Sequence, residues 1–155
     1  MYQTLIFSHF AHSVQKMPKL IPKFSLWASK CQRKQGFLDP TTGEALAASM
    51  AAELCVEMGL SNGQLEGDAK NVVGAVLARE PDESSREHLI EDIKKTLRVI
   101  PSWEMRHVRR KENHVAHMLA DLAVKDTMSM VWLYNPPDCI CEILKAEISA
   151  LSDSI

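Results

Sequence analysis

The chain has 155 residues, of which 46% are hydrophobic and 25% are charged, and its formal net charge is −2 at pH 7. This balance is typical of one globular domain and excludes an intrinsically disordered or fibrous chain. Every apolar run is shorter than the roughly 18 residues that a membrane-spanning helix needs, so we expect no membrane span and no membrane partner.

Charge is unevenly distributed along the chain. Residues 1–38 contain six Lys and Arg side chains and no Asp or Glu, which leaves the remainder with a net charge of −8. The basic portion is a segment that contacts phosphates, an organelle transit peptide, or simply a basic edge of the fold. We place a divergent basic N-terminal segment at residues 1–23 and the domain at residues 24–155.

The first elements of the domain are a strand and a strongly marked helix. β-Favouring residues at 24–32 predict a strand, and the polar residues behind it predict a loop. Thr41 and Glu44 have the spacing of a capping box and precede a run rich in Ala, Leu and Met. We therefore predict a helix that begins at Thr41 and stops at Gly59.

Shorter signals follow in chain order. The stretch "GQLEGD" predicts a short strand, and Asp68 at its end is placed as the N-cap of the next helix. Ser84 and Glu87 form a second capping-box pattern, and "SWEMRHVRR" predicts another strand. A helix from Asn113 and another in the tail "PPDCICEILKAEISAL", which begins at Pro136, complete an order that predicts a layered α/β domain with a mixed sheet.

Two carboxylates lie at helix starts and have two interpretations each. Glu44 is a capping-box acceptor, and Asp68 is an N-cap; from local periodicity these structural roles are the more common ones. The ends of strands in an α/β sheet are nevertheless where functional sites are built. Glu44 and Asp68 could also converge there and share a divalent cation through oxygen ligands.

Residues 108–123 combine cationic, histidine and acidic side chains. His114, His117 and Asp121 share one side of the predicted helix, as either a metal-binding face or, more commonly, a solvated surface. The cationic residues 109–111 lie at the end of a predicted strand, where they either contact phosphates or are solvated.

Three segments follow one another in a specific order: "DPTTGEALAASMAAELCVEMGL", "LEGDAKNVVGAV" and "VRRKENHVAHMLADLA". Together they resemble the plant reverse-transcriptase-like branch of the ribonuclease H family, over roughly residues 24–145. The resemblance implies a three-layer α/β fold with a five-stranded mixed sheet. In intact members four acidic residues hold two Mg²⁺ ions that cut the RNA strand of an RNA–DNA hybrid. Such a hybrid is recognised by its A-form shape, 2′-hydroxyls and phosphates.

The acidic set of the family is only partly present. The resemblance makes Glu44 and Asp68 metal ligands and catalytic residues, and it places His117 at the position of the family's last Asp. The acid of the family's first strand has no counterpart, because residues 1–23 contain no carboxylate. Asp121 lies one turn beyond His117, and we expect it not to substitute for the lost acid. Any Mg²⁺ is therefore expected to be weakly held or absent.

The basic motif carries over as a binding surface. The resemblance assigns Arg109, Arg110, Lys111 and Asn113 to nucleic-acid binding, since phosphate neutralisation does not depend on the missing acids. The family's first strand is central to its sheet, so in this chain the first strand or strands are missing or replaced. Either "YQTLIFSHF" fills that position, or the chain is an incomplete version of the fold.

Three functions remain open from the sequence. The first is a metal-dependent RNA–DNA hybrid endoribonuclease, whose activity two lost ligands make doubtful. The second is a catalytically impaired domain that binds an RNA–DNA hybrid or another nucleic acid, and it is the one we predict. The third is a protein-interaction remnant of the same fold. The scattered cysteines indicate reduced thiols and an intracellular protein, and the nucleus, the cytoplasm and an organelle all remain open.

Overall fold

The structure is a computed structural model that describes residues 2–9, 28–35, 39–81, 83–112, 114–126, 129–133 and 137–143. Its strands are β1 (Tyr2–His9), β2 (Ala28–Gln35), β3 (Asn62–Gly67), β4 (Ser102–His107) and β5 (Met130–Leu133). Its helices are α1 (Pro40–Glu57), α2 (Lys70–Leu77), α3 (Glu87–Leu97) and α4 (His114–Asp126), with a 3₁₀ turn at Arg110–Glu112. Residues 138–143 are also helical. The predicted mixed α/β class is confirmed.

The strands form two hydrogen-bonded ladders. β1, β2 and β5 make an antiparallel sheet in the order β1-β2-β5, while β3 and β4 pair in parallel. The Cα traces of β1 and β3 approach within 8 Å, so the two ladders lie side by side. Of the two alternatives for the N-terminus, the structure has the one in which residues 2–9 enter the sheet.

The N-cap of helix α1 lies two residues earlier than the capping-box pattern predicts. Asp39 is the N-cap and its Oδ1 accepts a hydrogen bond of 3.0 Å from the backbone N–H of Thr42, while Pro40 takes the first helical position. This position suits proline because the first N–H groups of a helix have no intrahelical partner. The Thr41–Glu44 capping box was therefore a wrong prediction, and Glu44 lies within the first turns of α1.

The predicted stop of α1 is correct. Gly59 has a φ of +65°, in the left-handed region that glycine adopts without strain, and its N–H donates to the carbonyl of Val56 at 2.9 Å. The N–H of Leu60 donates to the carbonyl of Cys55 at 3.0 Å, which closes the helix end. The chain then turns directly into β3.

Helix α1 packs on both the sheet and the neighbouring helices. It contacts β1, β2 and β3 as well as α2 and α3, so it is buried on most sides. The main cluster of buried side chains is shared among α1, α2, α3, β3 and β4 and includes Ala51, Leu65, Val72, Ile93 and Leu97. A second cluster joins α4 to the C-terminal helical residues through Val115, Leu119 and Ile140, with Trp132 of β5 against it.

Several local predictions differ from the structure. β2 extends to Gln35, into residues predicted as loop, and residues 24–27 lie outside the described part of the chain. β5 was not predicted, because four residues carry little periodicity. Ser84 is not an N-cap; its hydroxyl accepts from the N–H of Arg86 at 3.2 Å in the turn before α3. Among the described helices, none has the length and apolarity that crossing a membrane requires.

Candidate functional site

Asp68 lies immediately after β3, at the carboxyl end of the parallel strand pair. The backbone N–H of Val108 donates to the carbonyl of Gly67 at 3.0 Å, which fixes the ends of β3 and β4 beside each other. Asp68 does not cap α2: the N-cap is Ala69, and no side-chain hydrogen bond caps the helix. The predicted structural role was wrong, so the largely buried Asp68 side chain, 13% exposed, is available for another role.

Glu44 reaches the same region from the first turns of α1. Its side chain is exposed, yet its carboxylate is partly desolvated, and this burial together with the nearby Asp68 charge raises the pKa of Glu44. The Arg110 guanidinium opposes the shift. The two carboxylates and Arg110 are thus close enough to interact electrostatically. The sequence predicted this convergence as one of two alternatives.

A hydrogen bond that the sequence did not reveal joins the two helix starts. The Nδ2 atom of Asn71, in the first turn of α2, donates to the hydroxyl of Thr41 in the first turn of α1 at 3.2 Å. Because Glu44 and Asp68 flank these two residues in the chain, this bond helps to hold both carboxylates at one edge. Asn71 belongs to no recognisable sequence motif, so its contact with Thr41 is visible only in the folded structure.

His117 faces Asp68 from α4. The Nε2 atom of His117 lies 3.5 Å from Oδ2 of Asp68. That nitrogen is buried and has no hydrogen-bond partner within the described part of the chain, although the side chain as a whole is 35% exposed. Of the three residues that the sequence resemblance grouped, His117 thus lies against Asp68, and Glu44 is within electrostatic reach of Asp68.

The cationic residues lie beside this cluster. β4 ends at His107, earlier than predicted, and Arg110–Glu112 form a 3₁₀ turn that leads toward α4. Arg109, Arg110 and Lys111 are all exposed. His114 and Asp121 are exposed on α4, and the predicted binding residue Asn113 lies outside the described residues. The site thus has an acidic centre with a histidine and an exposed cationic border.

Comparison with known proteins decides the family. The family model described as "Reverse transcriptase-like" matches residues 11–123, more than half of the chain. The chain belongs to the reverse transcriptase-like family. This family is RNase H-like, and the predicted resemblance is confirmed. A search of curated proteins gives no significant match.

Two solved RNase H structures share the fold of this reverse transcriptase-like chain. RNase H1 from the halophilic archaeon Halobacterium salinarum NRC-1 has a TM-score of 0.54 at 20% identity, covering 64% of this chain and 86% of that one. The N-terminal RNase H domain of rv2228c from Mycobacterium tuberculosis, solved as a fusion with maltose-binding protein, has a TM-score of 0.56 at 13% identity. That match covers 82% of this chain and 96% of the other. The RNase H-like fold is thereby confirmed.

The two-magnesium centre that the family implies does not fit the described residues. Glu44 and Asp68 supply carboxylates, while the third group facing them is an imidazole. Among the residues that the structure describes, no group of three or more His, Cys, Asp and Glu side chains could hold a metal ion. Two adjacent divalent ions repel each other strongly, and a pair of carboxylates offsets that repulsion poorly.

Proposed function

We propose that this chain is an RNase H-type domain that binds RNA–DNA hybrids with little or no magnesium-dependent hydrolysis. The observation that carries the proposal is the contact between Asp68 and His117. The Nε2 atom of His117 lies 3.5 Å from the Asp68 carboxylate. A second carboxylate would be needed at that position to hold Mg²⁺.

The impaired chemistry follows from the donor set. Hydrolysis of a phosphodiester by two metal ions needs both ions, because one activates the attacking water and the other stabilises the leaving oxygen. Glu44 and Asp68 would hold at most one weakly bound Mg²⁺. Groups that act as a unit lose most of the rate when one of them is removed.

Binding depends on different residues. Arg109, Arg110 and Lys111 form an exposed cationic border next to the acidic centre, at the carboxyl end of β4. Such side chains contact phosphates and release condensed counterions, and this contribution needs neither metal nor sequence readout. Both structural neighbours are named RNase H, which supports an RNA–DNA hybrid as the ligand class.

The decisive experiment combines cleavage and binding on one labelled RNA–DNA hybrid. We expect no cleavage above background in Mg²⁺, and any residual cleavage should disappear in Glu44→Gln and Asp68→Asn. Binding should weaken as salt rises, and the double variant Arg110→Ala/Lys111→Ala should bind more weakly at every salt concentration. Arg79→Ala, an exposed cation that follows α2, is the matched control and should bind like the wild type. Efficient Glu44-dependent cleavage would contradict the impaired chemistry.

A second candidate is a protein-interaction remnant of the same fold. It is favoured by the net charge of −8 outside residues 1–38, which repels phosphates. Absence of hybrid binding at low salt, with the chain folded, would support this candidate and reject the first.

A further inference from the structure

We propose that a cavity at the amino end of the parallel strand pair binds a small carboxylate with an apolar or aromatic body. The cavity has a volume of about 400 Å³ and lies between the end of α2, the last turns of α3 and the start of β4. Sites for small molecules have volumes of roughly 300–1,000 Å³, so one such ligand fits. The proposal goes beyond hybrid binding and does not depend on it.

The cavity is separate from the acidic centre. Trp103 on the cavity wall pairs with Gly63 of β3, whereas Asp68 directly follows the pair of Gly67 and His107. The four residues between these two pairs span about 13 Å along a parallel strand. A small molecule in the cavity would therefore leave the Asp68 end of the strands open.

One part of the cavity wall is apolar. It is formed by the end of α2, the turn that follows it and the start of β4, through Val76, Leu77, Ala78, Pro81 and Trp103. Trp103 is half-buried and packs against the main core, while the Leu77 side chain is 52% exposed. An anchored indole beside an exposed leucine favours a ligand with an apolar or aromatic body.

The rest of the cavity wall is mainly cationic. Three cations, Arg79, Lys94 and Arg98, and one carboxylate, Glu91, line the cavity and give its wall a net charge of +2. Arg79 and Arg98 are exposed and form no ion pair with the residues that the structure describes. A planar guanidinium group matches the two oxygens of a carboxylate, so this wall favours a carboxylate ligand.

Lys94 is the buried member of the cationic wall, with a side chain only 8% exposed. Its Nζ atom donates to the Glu91 carboxylate at 2.9 Å and to the carbonyl of Glu80 at 3.3 Å. An ammonium group has three N–H donors, so one donor of Lys94 has no acceptor within the described part of the chain. Cations in the last turn of a helix also stabilise its negative end. Exposed side chains suffice for that effect, so it does not explain a buried ammonium at a cavity wall.

The test uses the full chain without nucleic acid and the probe anilinonaphthalene sulfonate, an aromatic anion whose fluorescence rises in an apolar site. We expect one probe molecule per chain and at least about tenfold weaker binding in Arg79→Gln/Arg98→Gln, which loses two charge-assisted contacts. Lys95→Gln, which removes an exposed cation of α3 outside the cavity wall, is the matched control and should bind like the wild type. The carboxylate 1-naphthoate should displace the probe at concentrations at least about tenfold lower than its uncharged analogue 1-naphthalenemethanol.

Energy transfer from tryptophan to the probe reports where the probe binds. Trp103→Phe keeps an aromatic ring in the wall, so it should reduce the transferred emission while the probe still binds.

Three outcomes would overturn the proposal. The first is equal probe affinity in the wild type and Arg79→Gln/Arg98→Gln, with both proteins folded by circular dichroism. The second is equally effective displacement by 1-naphthoate and 1-naphthalenemethanol. The third is unchanged energy transfer in Trp103→Phe, which would place the probe elsewhere. Failure of hybrid binding would leave these measurements unaffected.

Discussion

At the scale of a single residue, the surroundings of Glu44 disfavour its ionised form. Its carboxylate is partly desolvated and lies near the Asp68 charge, so its pKa is raised in the folded chain. The ionised form is thus disfavoured by folding. A carboxyl group whose pKa is raised by folding lowers the free energy of unfolding. This loss of stability develops as the pH rises above the ordinary pKa of 4.5, and it is absent well below that pH.

Glu44→Gln should therefore stabilise the protein at neutral pH. We expect the melting temperature of the variant to exceed that of the wild type by a small amount at pH 7, with the gap closing near pH 4. The measurement is thermal unfolding by circular dichroism at both pH values. Glu53→Gln, on the same helix, is the control. A variant that melts below the wild type at pH 7 would contradict the explanation.

Asp39 is the residue on which the start of α1 depends. It accepts hydrogen bonds from the backbone N–H and the hydroxyl of Thr42, and the Arg86 guanidinium lies 3.8 Å away. The hydrogen bond from the Thr42 hydroxyl is the main cause of its lowered pKa. Its stabilising effect is therefore present above the ordinary pKa of 3.8 and is lost as the pH falls through the lowered value.

Asp39→Ala should lower the urea midpoint of unfolding more than Thr41→Ala does. The first change removes the N-cap, and the second removes only the exposed hydrogen bond from Asn71. The difference between the urea midpoints of the two variants should become smaller in acid, where Asp39 is protonated. If Thr41→Ala were the more damaging change, the capping-box assignment from the sequence would be right after all.

Individual residues of the site differ in whether the sequence alone could predict their roles. The Thr41–Glu44 spacing matched a capping box, but Asp39 followed by Pro40 is a competing start signal that the pattern ignored. Glu44, Asp68 and His117 could be named together only through the family resemblance. Local periodicity carries no information about contacts between segments far apart in the chain. The contact between His117 and Asp68 and the bond between Asn71 and Thr41 arise only from packing.

At the scale of elements, α1 is built for close packing. Ala45, Ala51 and Ala52 are fully buried, and their small side chains let α1 approach the sheet and α3. Ala51→Leu should therefore destabilise the protein by about 1–3 kcal/mol, because a well-packed core has no room for added methylenes. The measurement compares the urea midpoints of Ala51→Leu and of the control Glu53→Leu, which adds a leucine at an exposed position of the same helix. Equal midpoints would show that α1 tolerates larger side chains on its buried face.

Elements with strong local signals were predictable, and those that depend on partners were not. Helix α1 has high helix propensity and a glycine stop, so its presence and end could be predicted. β5 has four residues and exists only because β2 offers an edge for pairing, with Trp132 opposite Ser29. Pairing with β1, where Tyr2 lies opposite Gln35, extends β2 beyond the predicted strand. A tertiary partner thus overrides weak local preference.

At the scale of the whole molecule, the uneven charge gives the proposed binding function a measurable signature. Replacing Lys16, Lys19 and Lys23 with Ala should weaken hybrid binding and reduce the slope of log K against log salt. Each lost phosphate contact lowers that slope by roughly 0.7–0.9. Fluorescence anisotropy across a salt series measures the slope. An unchanged slope would mean that these lysines make no phosphate contacts.

The N-terminal strand gives the last prediction, because it tests how the sheet is completed. β1 pairs along its full length with β2, with Leu5 opposite Gln32 and Ile6 opposite Cys31. In an antiparallel ladder such neighbouring pairs alternate, so one of the two exchanges N–H···O bonds with β2 and the other does not. Proline has no N–H, so Leu5→Pro and Ile6→Pro should differ in stability.

The variant that loses the ladder bond should be destabilised by about 1–3 kcal/mol, since it leaves a carbonyl of β2 unpaired. Leu5→Val, which keeps the N–H and the strand preference, is the control and should unfold close to the wild type. Urea unfolding of the full-length variants measures these differences. If both proline variants unfold at the wild-type midpoint, residues 2–9 do not complete the sheet, and another segment must pair with the edge of β2.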